Sequence, residues 1–144
     1  MARKRRKKKP KKKLWSKKSN YTRLDGAIVE MDSTWEVECA KRLDELGIKW
    51  QRDTITKLEY RDRSLKLRNY IPDFYLPEYD VYLEVKGYWT DAAIWKMKDI
   101  MIRYPNKVRL LESLEDIAAL GKPVKPTPYD PKKTKIGTAK NRKR

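Results

Sequence analysis

The sequence contains no histidine and only one cysteine, Cys39. These absences exclude zinc clusters built from Cys and His, nucleophile systems of the Ser–His or Cys–His type, and histidine general bases. A disulfide within one chain is impossible, so we interpret Cys39 as a core residue of a helix in a protein from a reducing compartment. If the protein is an enzyme, its functional groups must be carboxylates, lysines and metal ions that prefer oxygen ligands.

Long apolar runs are also missing. The chain has no stretch of about 18 apolar residues and no apolar segment typical of a secretory signal. We therefore expect an intracellular, cytoplasmic protein that has no contact with a membrane. Its 144 residues fit a single domain with one modest core.

Positive charge is abundant, and it is concentrated at the two ends of the chain. Residues 3–18 contain twelve Lys or Arg and no acid, and residues 130–144 contain seven bases against one acid. Residues 19–129 carry 18 bases and 19 acids, so the two ends supply the whole net charge of +17. Such runs repel themselves and bury little apolar surface, so we expect both ends to be disordered in isolation.

The expected partner of these basic runs is a polyanion. Neutralising several phosphates releases counterions and gives salt-sensitive binding that does not depend on base sequence. Nucleic-acid-binding arms, a localisation signal and an RNA-folded extension of the ribosomal type all fit the charge. Attraction to a membrane surface is less favoured because the run has no apolar face. The candidate nucleic-acid-binding residues of the N-terminal run are Arg3, Lys4, Arg5, Arg6, Lys7, Lys8, Lys9, Lys11, Lys12 and Lys13.

The periodicity between the basic ends predicts an α/β domain. A capping box formed by Ser33 and Glu36 starts a helix that stops at Gly47. Extended patterns follow, and the helical spacing then returns between two further strands. The predicted order is a connecting segment (21–32), a helix (33–46), a hairpin (54–60 and 65–71), a short extended piece (73–77), a strand (81–87), a helix (91–103), a strand (107–112) and a short helix (113–121).

The helix at 91–103 is long enough to be a crossover, so the strands on either side of it should be parallel. This predicts a central mixed β-sheet flanked by helices. The predicted organisation is a basic arm at 1–20, a folded domain at 21–121 and a Pro-rich, basic C-terminal tail at 122–144.

The segment IPDFYLPEYDVYLEVKG (residues 71–87) carries the strongest chemical signal. Glu84 and Lys86 share one face of the predicted strand, and the turn before it can return Asp73 to a position beside Glu84. Two converging carboxylates repel unless a divalent cation lies between them, and Mg²⁺ completes its octahedron with waters and phosphate oxygens. A lysine beside such a site can orient the attacking water and stabilise the phosphate.

The arrangement P-D-x(10)-E-x-K resembles the PD-(D/E)XK nuclease superfamily. Within it, the chain is most similar to phage endonuclease I-type Holliday-junction resolvases. The matching segments are S-x-x-E (33–36), L-x-x-x-G-I-K (43–49), Y-x-P-D-F-x-L-P (70–77) and E-x-K-G-x-W (84–89), and the similarity covers residues 33–111. The resemblance implies a restriction-endonuclease-like sheet.

The same resemblance implies a set of roles. Asp73 and Glu84 bind Mg²⁺, for which Mn²⁺ can substitute, and the Val85 carbonyl is a further ligand. Lys86 serves the nucleophilic water, and Glu36 completes the acidic site. The products would carry 5′-phosphate and 3′-hydroxyl ends. The expected substrate is branched duplex DNA such as a Holliday junction, cut by a homodimer, and the source would be a phage in a bacterial host.

Other interpretations of the same residues remain open. A nicking, homing or restriction-type endonuclease directed by sequence would use the same core. A non-catalytic basic nucleic-acid-binding protein would carry these acids as ordinary surface. Glu36 would then be a helix cap alone. Lys96 and Lys98, in the second helix, are consistent either with phosphate contact or with a solvated helix face.

Overall fold

The computed structural model describes residues 17–52 and 57–137. The described residues form a mixed α/β structure, which confirms the predicted class at that level. The strands are β1 (Ser19–Thr22), β2 (Ile28–Met31), β3 (Leu58–Arg61), β4 (Leu67–Tyr70), β5 (Phe74–Leu76), β6 (Val81–Val85) and β7 (Val108–Leu111), and the helices are α1 (Thr34–Glu45), α2 (Asp91–Arg103) and α3 (Leu114–Ala118).

A mixed sheet with the strand order β5-β6-β7 forms the centre of the fold. Strands β5 and β6 pair antiparallel across a short turn, and β6 and β7 pair parallel because α2 crosses over between them. A single bridge between Gln51 and Tyr75 extends the sheet beyond β5. The predicted parallel pair and its crossover helix are therefore confirmed.

The two faces of this sheet pack against different hydrophobic clusters. One cluster joins α1 and α3 to the sheet through residues that include Cys39, Leu43 and Leu83. The other joins α2 and the β3–β4 hairpin to the opposite face, through residues that include Met97 and Tyr70. Cys39 is fully buried, which confirms its predicted place in a helix core.

Local capping signals set the ends of the two long helices. The Glu36 backbone N–H donates to Oγ of the N-cap residue Ser33 at 3.2 Å, and Gly47 follows α1 with a φ of 67°, which favours glycine. Thr90 caps α2 in the same way through the N–H of Ala93. Both helices have nearly the bounds that the sequence predicts.

The predicted connecting segment at 21–32 is wrong, because β1 and β2 form an antiparallel hairpin there. The hairpin turns at Gly26, whose φ is 88°, and the Arg23 N–H donates to the Ala27 carbonyl at 2.8 Å. Val29 and Met31 are buried, whereas Ile28 is exposed, so this strand has a two-residue period. The hairpin begins inside the arm predicted for residues 1–20.

The β3–β4 hairpin confirms the prediction of a hairpin before residue 71. Its first predicted residues, 54–56, lie outside the described residues. Leu65 and Leu67 are exposed.

The C-terminal segment (residues 122–137) differs from the predicted disordered tail. Val124 and Ile136 are buried. The Thr127 backbone N–H donates to the Val108 carbonyl at 2.8 Å, and Thr127 Oγ1 accepts from the Leu110 N–H at 2.8 Å. This segment therefore belongs to the folded domain, and the predicted boundary at residue 121 is too early. Residues 138–144 lie outside the described part of the chain.

None of the helices that the structure describes is long and apolar enough to span a membrane.

Candidate functional site

Asp73 and Glu84 lie opposite one another at one end of the central sheet. The β5–β6 register pairs Phe74 with Leu83, so Asp73, one residue before β5, falls opposite Glu84. The Asp73 N–H donates to the Leu83 carbonyl at 3.1 Å, and the Val85 N–H donates to Oδ2 of Asp73 at 2.7 Å. The structure thus brings together the two acids that the sequence predicts to be neighbours. The predicted role of the Val85 carbonyl stays a prediction.

Glu84 is buried and is held by a tyrosine from the β3–β4 hairpin. Its side chain is on the α2 face of the sheet, because its parallel partner Leu110 belongs to the cluster on that side. The hydroxyl of Tyr70 donates to Oε2 of Glu84 at 2.5 Å. Burial and the neighbouring Glu84 charge raise the pKa of Tyr70, so the phenol stays protonated and acts as a donor.

The electrostatics of this pair disfavour two negative charges. Burial, followed by repulsion from Glu84 and Glu36, raises the pKa of Asp73 well above its ordinary value. Burial also raises the pKa of Glu84, against the opposing effects of the Tyr70 hydrogen bond, Lys86 and Lys96. Both groups would become easier to ionise if a cation approached them.

Two lysines contribute positive charge to this region. Lys86 is half-buried, and its Nζ lies 5.8 Å from the centre of the Trp89 ring. Lys96 of α2 is also half-buried, and burial lowers its pKa, whereas Glu84 and Asp73 act to raise it. Neither lysine forms an ion pair with a described residue. Both ammonium groups are therefore close to Asp73 and Glu84 without forming an ion pair with either.

Glu36 is buried in a different environment. Its Oε2 accepts from Ser33 Oγ at 2.9 Å. Its Oε1 lies 2.6 Å from Nη1 of Arg52, as an ion pair that lacks the alignment of a hydrogen bond. Both carboxylate oxygens are thus engaged, one at the helix cap and one with a guanidinium.

Arg52, which is not among the predicted site residues, connects Glu36 to Asp73. Its side chain is 10% exposed, and Nη1 also donates to the Asp73 carbonyl at 2.9 Å. Nε donates to the carbonyl of Glu30 at 3.2 Å, and Nη2 pairs with Asp32 at 3.3 Å. Arg52 therefore fixes the backbone of Asp73 against α1 and β2. No local pattern marks this arginine, since its partners are distant in sequence.

Asp73 and Glu84 fit a metal ion as a two-carboxylate site, whereas a three-carboxylate site that includes Glu36 does not form. Within residues 17–52 and 57–137, no group of three or more His, Cys, Asp or Glu side chains could hold a metal ion. The predicted three-acid site is thus not assembled, because Glu36 is committed to Ser33 and Arg52. Asp73 and Glu84 each use one oxygen for a hydrogen bond, and the described residues give no hydrogen bond to Asp73 Oδ1 or Glu84 Oε1. Two such oxygens suit Mg²⁺, which takes one or two carboxylates and fills its other positions with water and phosphate oxygens.

An open groove of about 500 Å³ leads to Asp73 from the protein surface. Its lining combines basic, acidic and apolar side chains, namely Glu30, Asp32, Arg52, Lys57, Ile71, Pro72 and Asp73.

The ten candidate nucleic-acid-binding residues of the N-terminal run, Arg3 to Lys13, lie outside the described residues. No protein-family profile matches this sequence, and neither a curated protein nor a solved structure shows significant similarity to it.

Proposed function

We propose that the protein is a Mg²⁺-dependent DNA endonuclease with a restriction-endonuclease-like, PD-(D/E)XK core. The observation that carries this proposal is the opposition of Asp73 and Glu84 across β5 and β6, with Lys86 two residues beyond Glu84. Glu84 is buried and Asp73 is half-buried, and both have raised pKa values, so they are costly to keep charged and an external divalent cation would offset that cost. Such a cation can support phosphodiester hydrolysis without a histidine.

The position of each residue in the site sets its role in the proposed reaction. Asp73 and Glu84 hold Mg²⁺, for which Mn²⁺ substitutes, and Arg52 keeps the backbone of Asp73 in position. When bound, Mg²⁺ supplies positive charge that stabilises the phosphate as negative charge develops on it. Lys86 orients the attacking water and contributes a second positive charge near the phosphate. Cleavage leaves 5′-phosphate and 3′-hydroxyl ends.

The substrate that fits the whole chain best is branched duplex DNA, such as a four-way junction. The basic ends bind phosphates regardless of base sequence, so selectivity must come from the shape of the DNA. Two symmetric cuts in a junction require two sites, and a homodimer supplies them. The protein would act in the cytoplasm, in a bacterial host if a phage encodes it.

The test compares a four-way junction with a linear duplex of identical sequence. We expect cleavage of the junction in Mg²⁺ or Mn²⁺, little cleavage of the linear duplex, and none in a chelator. The Asp73→Asn protein is the matched control and should bind the junction without cutting it. If the wild-type protein cuts neither DNA in either metal, the nuclease proposal fails and a non-catalytic DNA- or RNA-binding protein becomes the better interpretation. Equal cleavage of both substrates would reject only the preference for branched DNA.

A further inference from the structure

Lys96 and Lys98 lie two residues apart in α2, yet their surroundings differ. Lys98 is exposed, whereas Lys96 is half-buried on the flank of the helix that meets the β3–β4 hairpin. Its Nζ lies 4.9 Å from the centre of the Tyr70 ring and 5.6 Å from that of Tyr60. The two rings hold the ammonium group by cation–π attraction. The same Tyr70 donates its hydroxyl to Glu84, so Lys96 is fixed next to the acid pair.

The positive charge of Lys96 is not used inside the fold. No carboxylate of the described residues lies within ion-pair distance of its Nζ. An ammonium group has three N–H donors, and cation–π attraction to a ring gives them no lone-pair acceptor, so a further acceptor can still bind. A half-buried lysine held this way can bind an anion that enters the site.

Charge balance indicates which anion Lys96 would bind. Asp73 and Glu84 carry two negative charges when ionised, and Lys86 and Lys96 carry two positive charges. A divalent cation would bring the site to +2. This charge is equal in size and opposite in sign to the summed charge of a phosphodiester and an attacking hydroxide, whereas a site with Lys86 alone would reach only +1. The positive charge of the second lysine therefore balances negative charge that is fully present only in the transition state.

On these grounds we infer that Lys96 is a second catalytic lysine, whose ammonium group contacts a non-bridging oxygen of the scissile phosphodiester. This inference rests on the proposed nuclease function and deepens it. Lys96 and Lys86 then reach the same phosphate from two elements, the crossover helix and the strand that carries Glu84.

The test uses Lys96→Met, which keeps the length and the packing of the side chain, together with Lys96→Arg. Lys98→Met is the matched control. We expect Lys96→Met to lower the single-turnover cleavage rate by about 10²–10³-fold, as for the loss of one preorganised charge. Lys98→Met should stay within about threefold of wild type, and Lys96→Arg should recover at least about tenfold, because it keeps the charge.

Two further measurements separate catalysis from structure and from binding. The dissociation constant for the junction in a chelator should differ by less than about threefold between Lys96→Met and Lys98→Met. Thermal unfolding should show that Lys96→Met is folded. Cleavage by Lys96→Met at the Lys98→Met rate would overturn the inference. Equal losses in Lys96→Met and Lys96→Arg, or a loss explained fully by weaker binding, would overturn it too. If wild-type protein cuts and Asp73→Asn does not, these outcomes reject Lys96 alone and leave the nuclease function standing.

Discussion

Glu36 in α1 and Glu84 in β6 are both buried, with 4% and 8% of their surfaces exposed, yet their surroundings are opposites. Glu36 is neutralised within the fold by Arg52 and is also bonded at the helix cap. Glu84 faces Asp73 across the sheet, and among the described residues its carboxylate is bonded only to the neutral hydroxyl of Tyr70. Removing the matching cation of a buried acid destabilises a fold, whereas an acid pair without an ion-pair partner among the described residues is suited to recruit a cation.

The largest expected effect of this difference is on cleavage. Asp73→Asn and Glu84→Gln should each lower the Mg²⁺-dependent rate by at least about 10³-fold, equivalent to about 4 kcal/mol of transition-state stabilisation. Glu36→Gln should lower the rate by about tenfold or less, because it acts only through the position of Asp73. Single-turnover cleavage of a junction measures all three. A Glu36→Gln protein as inactive as Asp73→Asn would place Glu36 in the metal site. It would contradict the contrast between a structural Glu36 and a metal-binding Glu84.

The second effect concerns the free energy of unfolding. Arg52→Met leaves Glu36 buried without its cation, and we expect a loss of about 3–5 kcal/mol, measured by urea denaturation. The double variant Arg52→Met/Glu36→Gln should recover part of this loss. Lys41→Met is the control, since it breaks an exposed ion pair with Glu38 and should cost less than about 1 kcal/mol. Equal effects at Arg52 and Lys41 would contradict a structural ion pair at Glu36.

The smallest effect is a pH-dependent change in stability at the acid pair. The pKa values of Asp73 and Glu84 are raised in the folded state, so the fold binds protons that the unfolded chain releases. Stability contributed by these groups is therefore present below their ordinary pKa values, near pH 4, and is lost as the pH rises through the raised values.

Glu84→Gln removes the part of this pH-dependent loss of stability that comes from Glu84. We expect its Tm at pH 8 to exceed that of wild type by roughly 3–6 °C, or about 1 kcal/mol, and the difference to vanish near pH 4. Millimolar Mg²⁺ should raise the Tm of the wild type and leave that of Glu84→Gln unchanged. A lower Tm for Glu84→Gln at pH 8 would show that the charge of Glu84 is already matched, as that of Glu36 is. Scanning calorimetry at several pH values would measure these differences.

The sequence predicts those parts of the fold that depend on neighbouring residues. Helix α2 and strand β6 follow from periodicity and capping, and the short turn after Leu76 is enough to place Asp73 opposite Glu84. The β1–β2 hairpin was not predicted, because the alternating pattern of the four-residue strand β2 contains only two buried residues, Val29 and Met31. Arg52 and the surroundings of Lys96 depend on contacts between distant segments, so no local pattern identifies them.

The C-terminal segment has a consequence for self-association. Strand β7 is at the edge of the three-stranded sheet, and such an edge offers unpaired backbone groups to any other strand. Thr127 occupies two of these groups, the carbonyl of Val108 and the N–H of Leu110. A chain shortened to Gly121 would open this edge to aggregation. Residues 122–137 therefore shield the sheet from unwanted strand pairing, in addition to filling its core.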